Sequence, residues 1–104
     1  MSNPWAGEVA ITIDGEQHQC KLTLGALAEL ESTLKVGSLV ELIRRFEAGA
    51  FSSADVLAVV VAGLRGGGWD GTSEDLVAAE VEDGPVGAAT AAATLLARAF
   101  AVPE

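Results

Sequence analysis

Residues 8–13, EVAITI, alternate apolar and polar side chains in a period of two, and Asp14-Gly15 follows them directly. Both loop positions of a type I′ turn need positive φ, which aspartate and glycine tolerate, so the dipeptide specifies a two-residue β-hairpin and its register. Ile13 then faces Glu16, Ile11 faces His18, Val9 faces Cys20, and Trp5 comes within reach of Leu24. This register puts His18, Cys20, Leu22 and Leu24 on the face already occupied by Val9, Ile11 and Ile13.

From Leu24 onward the period becomes helical. Leu24, Leu27, Leu30 and Leu34 form one stripe, with Glu29 and Glu31 largely off it. Thr23 is placed to cap this helix and Gly37 to stop it. Ser38 with Glu41 makes a capping box for a second helix, whose apolar face is Leu39, Leu42, Ile43 and Phe46 and which Gly49 ends. Ser52 and Asp55 repeat the capping pattern ahead of VLAVVVAGL, which is apolar all round. Val59, Val60 and Val61 favour a strand intrinsically, but the cap, the alanine content and the length from Ala54 to Arg65 predict a buried helix. After GGGWDG, Thr72 or Ser73 starts a short acidic helix through about Val81. Asp83-Gly84-Pro85 breaks the chain again, and the last helix, roughly Val86 to Phe100, is expected to turn Ala89, Ala92, Ala93, Leu96 and Phe100 inward. The reading is α+β: one domain over residues 1–104, with an N-terminal β-hairpin (8–24) packed against a mostly helical remainder (24–101) of four to five helices.

Half of the 104 residues are hydrophobic, which argues against disorder, yet only five are aromatic. The core must therefore be built mainly of Leu, Val, Ile and Ala. Fifteen acids against six bases give a net charge of −9. Phosphate-backbone binding draws on clustered cations, and the largest cluster here is Arg44-Arg45, so nucleic acid and anionic membrane surfaces are poor partners. A basic protein surface would suit the chain better. The single cysteine, Cys20, excludes an internal disulfide, no signal-peptide pattern is visible, and the cytoplasm is the expected compartment. Residues 86–102, the best candidate for a membrane span, are interrupted by Thr90, Thr94 and Arg98.

Gly66-x-Gly68-x-x-Gly71 has the spacing of a dinucleotide-binding loop, but that motif needs a strand before it and a helix opening from it. Here a predicted helix ends at Arg65, no Lys-Ser or Lys-Thr follows, and Asp70 would repel phosphate. No cofactor is expected. Closure of a helix accounts for one glycine. The surplus points to a mobile loop, or to a place where another backbone approaches closely, with Trp69 as anchor. His18 and Cys20 share a strand face and could offer two metal ligands, short of the three or four zinc requires, so no metal site is expected. Cys20 lacks an oxyanion hole, and Glu29 with Glu31, or Glu80 with Glu82, do not face each other on a helix. No catalytic constellation is found.

Between residues 70 and 83 lie six acids and no base. Glu74 and Asp75 complement a helix start, whereas Glu80, Glu82 and Asp83 sit at the end where the dipole disfavours them, which hints at an interaction surface. The contact residues expected on this reading are Arg65, Gly66, Gly67, Gly68 and Trp69, followed by Glu80, Glu82 and Asp83.

The order of these pieces resembles one family over nearly the whole chain. Gly7-Glu8-Val9, then Leu22-Thr23-Leu24-Gly25-Ala26-Leu27 with Glu29 to Glu31, then Ala62-Gly63-Leu64-Arg65-Gly66-Gly67-Gly68, are similar to the small tail protein of gene transfer agents and related tailed phages. That protein is described either as a tail tube protein or as a tail assembly chaperone. Relatives carry an arginine before Gly-Glu where this chain has Ala6, which counts against a basic N-terminal arm. The resemblance implies a non-enzymatic part in building a virus-like tail. A tube subunit would be expected to supply a sandwich or barrel that joins its neighbours through continuous sheet, and one hairpin cannot do that. The chaperone role is therefore preferred, with the tape-measure protein, tail tube subunits or both as partners and self-association left open. The alternative is a permanent tail component. The chaperone role would place the chain in the bacterial cytoplasm, in association with tails during assembly, whereas a permanent component would remain in purified particles.

Overall fold

The computed structural model describes residues 9–34 and 39–100, with the side chain of Leu34 excluded. Two strands, β1 (Val9–Ile13) and β2 (Glu16–Cys20), precede five helices: α1 (Leu24–Leu34), α2 (Leu39–Glu47), α3 (Ser53–Gly66), α4 (Ser73–Ala78) and α5 (Gly84–Ala99). The α+β architecture is the expected one.

The hairpin has the register that its turn specifies. Val9 pairs with Cys20, Ile11 with His18 and Ile13 with Glu16. Asp14 at φ 50° and Gly15 at φ 83° hold the two left-handed positions of the loop. Ile11, Ile13, Cys20 and Leu22 are buried on the shared face, with Val9 half-buried beside them. Leu24 is a correction: it is 84% exposed. The sheet ends at Cys20, and Thr23 Oγ1 accepts from the Ala26 N–H at 3.1 Å, so Leu24 opens α1 at a position that has turned away from the core. The inward stripe of α1 consists of Ala26 and Leu30, with Leu27 half-buried at its edge. Trp5, Gly37 and Ser38 lie outside the described residues.

Helix α3 is the centre of the domain and packs against α1, α4, α5 and β2. Its cap explains why the valine run is helical. The Ser52 side chain accepts from the Asp55 N–H at 3.1 Å, while Asp55 Oδ2 accepts from the Ser52 N–H at 2.9 Å. Valines that favour a strand locally are then surrounded on all sides: Val59, Val60 and Val61 are buried, with Ala62 and Leu64. Full burial of a leucine stabilises by roughly 1.5–3 kcal/mol, and Leu30, Leu42, Leu64 and Leu95 are almost wholly withdrawn from solvent. Gly63 lets α3, α5 and the sheet meet, since a Cβ there would lie 2.7 Å from Leu95 Cδ1 and 3.3 Å from Cys20 Cβ.

Helix α2 runs to Glu47, and Gly49 at φ 70° turns the chain out of it. Phe46 stacks on Phe51 across this turn, with centroids 4.7 Å apart and planes 7° from parallel.

The C-terminal half departs from expectation in two places. Helix α4 stops at Ala78, short of Val81. Val81 instead forms a bridge with Ile13, flanked by Asp14 N–H to Glu80 O at 2.8 Å and Glu82 N–H to Thr12 O at 2.9 Å. Pairing with the open edge of β1 satisfies backbone groups that a further helical turn would otherwise have satisfied. Helix α5 begins at Gly84, and its buried residues are Ala91, Ala92, Leu95 and Leu96. Ala93 is exposed and Phe100 is 42% exposed, contrary to the inward positions assigned to them. An alanine-rich helix carries little amphipathic contrast, so its sequence leaves the inner face poorly marked.

Candidate functional site

The two sequence-derived contact sets lie on opposite edges of the hairpin, one against β2 and the other against β1. Gly66 and Gly67 cover the β2 edge. The Lys21 N–H donates to Gly63 O at 2.8 Å. A Cβ at Gly66 would overlap the Lys21 carbonyl oxygen, and one at Gly67 would overlap that of Gln19. Two of the three glycines therefore answer the close approach of another backbone. The third supplies the turn: Gly68 sits at φ 103° with open space around it, whereas Gly67, the cap residue, is at φ −90°.

Trp69 is tied back by its N–H to Leu64 O at 2.9 Å and packs partly buried against the core. Its ring lies so near Gly71 that a Cβ there would overlap it. A cleft of about 380 Å³ is lined by this loop together with His18 and Gln19. Arg65 faces elsewhere, pairing with Glu29 of α1 at 3.3 Å, with both side chains about half exposed.

Glu80, Glu82 and Asp83 follow the β1 edge. Besides the two backbone bonds, the Glu80 N–H donates to Asp14 Oδ1 at 2.8 Å. This fixes the backbone of both glutamates while their side chains remain exposed. Asp83, at φ 67°, is the N-cap residue of α5 but makes no side-chain capping bond.

The residues considered for chemistry are separated or inert. Cys20 is fully buried, and burial pushes its thiol up to about 12, so it is protonated at neutral pH and is no nucleophile. His18 Nε2 lies 4.0 Å from Glu16 Oε2, a long contact with an exposed carboxylate. Among the described residues, no three His, Cys, Asp or Glu side chains converge as a metal ion would require. No described helix is long and apolar enough to cross a membrane.

Two features were missed by sequence reasoning. Arg45 Nη2 bonds Asp55 Oδ1 at 2.9 Å, so the buried capping carboxylate also ties α2 to α3. The only local signal was Asp55 itself, already engaged as a cap. The second is an open groove of about 1030 Å³ between α3, α4, the start of α5 and the Val81 segment. It arises where the chain leaves α4 early to pair with β1, which no local pattern announces.

Against this geometry, the chain matches the family described as phage tail tube protein, GTA-gp10, over residues 6–102. The chain belongs to that family. Comparison with curated proteins and with solved structures gave no match. Membership makes it a tail-related protein of a phage or gene transfer agent and implies contact with other tail proteins. Within the GTA-gp10 family, then, this chain presents a small hairpin bounded by the α3 terminus on one side and the Val81 segment on the other.

Proposed function

We propose that the protein is a non-enzymatic tail assembly factor, a chaperone that engages the tape-measure protein, tail tube subunits or both in the bacterial cytoplasm. The observation that supports this reading is the state of the hairpin edges. Assembly of a tube through continuous sheet needs free strand edges, because main-chain N–H and C=O groups must pair between neighbours. Here the β1 edge is paired with residues 80–82, and the β2 edge lies against Gly63, Gly66 and Gly67. Joining a neighbouring sheet along the full length of either strand would require one of these covers to be removed. Exposed acids on a chain of net charge −9 suit a basic partner surface instead. Arg65 to Trp69, and Glu80, Glu82 and Asp83, are the proposed contact residues, the first set also having the packing role described above.

The alternative, a permanent tail tube subunit, is favoured by the description of the family itself. Co-expression with the tape-measure protein of the same element, followed by size-exclusion chromatography with light scattering, separates the two. A soluble complex holding several copies per tape measure is expected. Rings formed by this chain alone, or its retention in mature tails without tape-measure binding, would favour the tube.

A further inference from the structure

The groove between α3, α4 and α5 is floored by buried Val60 and Leu76 and walled by the more accessible Val56, Leu57, Val77 and Ala88. Val77 is 70% exposed although it lies on an apolar wall. Among the described residues, the charged side chains lining the groove, Asp14, Glu80 and Glu82, are all acidic, and no lysine or arginine lines it. An apolar floor with a single sign of charge at its border specifies a partner that is apolar on one side and cationic beside it. The partner's secondary structure is also constrained. Beside the groove, the Asp14 N–H and Thr12 O are already bonded to Glu80 and Glu82, so an incoming strand cannot use these two main-chain groups. Lining contributed mainly by side chains of α3, α4 and α5 suits an occupant that binds through its own side chains, as a helix does.

We propose that this groove binds an amphipathic helix of a partner protein, seating its aliphatic stripe against Val56, Leu57, Val77 and Ala88 and setting lysine or arginine against Glu80 and Glu82. The assembly reading supplies only the identity of that partner as a tail protein. The groove and its preferred ligand chemistry stand on the geometry.

The test uses the full chain and a fluorescent helical peptide of roughly 18 residues, five turns at 3.6 residues each, with leucines on one stripe and lysines flanking it. A second peptide carries glutamates at the flanks, and a third alternates apolar and polar residues as a strand. The lysine-flanked helix is expected to bind the wild type best, and more weakly as salt rises. Val77→Lys places a charge on the apolar wall at an exposed position and should weaken binding by about tenfold, the scale of a residue central to an interface. Glu80→Lys with Glu82→Lys should reverse the preference toward the glutamate-flanked peptide, a change that loss of folding cannot produce; thermal melts verify folding of both variants. Equal binding by wild type and variants, no binding of the lysine-flanked helix, or preference for the strand peptide would overturn the proposal. Co-elution with the tape-measure protein, run on wild type and variants, separates the two claims. Co-elution that persists in the variants refutes the groove and leaves the chaperone role standing. Peptide binding without tape-measure or tube association refutes the role and leaves the groove.

Discussion

Arg45 Nη2 stands 2.9 Å from Asp55 Oδ1, and the same carboxylate closes the capping box of α3 through its other oxygen. Asp55 is 3% exposed, so its charge is compensated by one arginine and one backbone N–H. Removing that carboxylate opens the α3 N-terminus and frees α2 at once. Asp55→Ala should cost about 2–4 kcal/mol, a lost cap together with a charge-assisted hydrogen bond, whereas Ser52→Ala should cost about 1 kcal/mol, that of a lost cap alone. Urea denaturation measures both. A double-mutant cycle with Arg45→Met should show coupling between Arg45 and Asp55, and additivity would contradict the assigned pairing.

The glycine run should respond unevenly to alanine. At Gly67 a Cβ overlaps a backbone oxygen that cannot rotate away, so Gly67→Ala should destabilise by about 1–3 kcal/mol or more, the cost of overpacking. Gly66→Ala should behave similarly, offset in part by better helix propensity. Gly68 has free space but a φ of 103°, so Gly68→Ala should cost about 1 kcal/mol through backbone strain alone. If thermal melts rank Gly68→Ala as the worst of the three, the close approach of α3 to β2 is not what selects these glycines.

Cys20 carries a pH prediction. Burial raises the thiol in the folded chain to about 12, whereas an exposed thiol in the unfolded chain titrates near ~8.5. The folded state thus holds the proton more tightly, and this contribution is fully present below the unfolded value. It is lost as pH rises toward the folded one, at about 1.4 kcal/mol per pH unit. Urea midpoints should fall above about pH 9, more steeply for the wild type than for Cys20→Ala. A thiol reagent at neutral pH should label only denatured protein, and rapid labelling of the native chain would contradict the burial.

Trp69→Ala separates packing from contact. Its ring rests on the Gly71 backbone and against the core, so truncation should destabilise by about 1–3 kcal/mol, below the cost for a fully buried tryptophan. If the folded variant also loses its tail partner, the loop is a contact as well as a brace. If partner binding survives at temperatures where the variant is folded, residues 65–69 serve the fold alone.

What the sequence determined by itself was stereochemical and short in range. Asp14-Gly15 set the turn and therefore every pair of the hairpin. Thr23, Ser52 and Thr72 each fixed a helix start through a bond three residues ahead, visible without knowledge of the rest of the chain. The triple glycine left two readings open, a mobile loop or the close approach of another backbone. Which backbone approached it, that of Gln19 in β2 and of Lys21 just beyond it, was decided only when α3 packed against the hairpin. The same holds for Glu80 and Asp14, bonded across 66 residues of sequence, and for the early end of α4 that follows from that pairing. The inner face of α5 was also settled by packing, because alanine at nearly half of its positions gives little hydrophobic contrast to read. The groove with its acidic border inherits both effects. Its walls come from helices readable one at a time, but the space between them is set by long-range backbone bonds that no local residue pattern encodes.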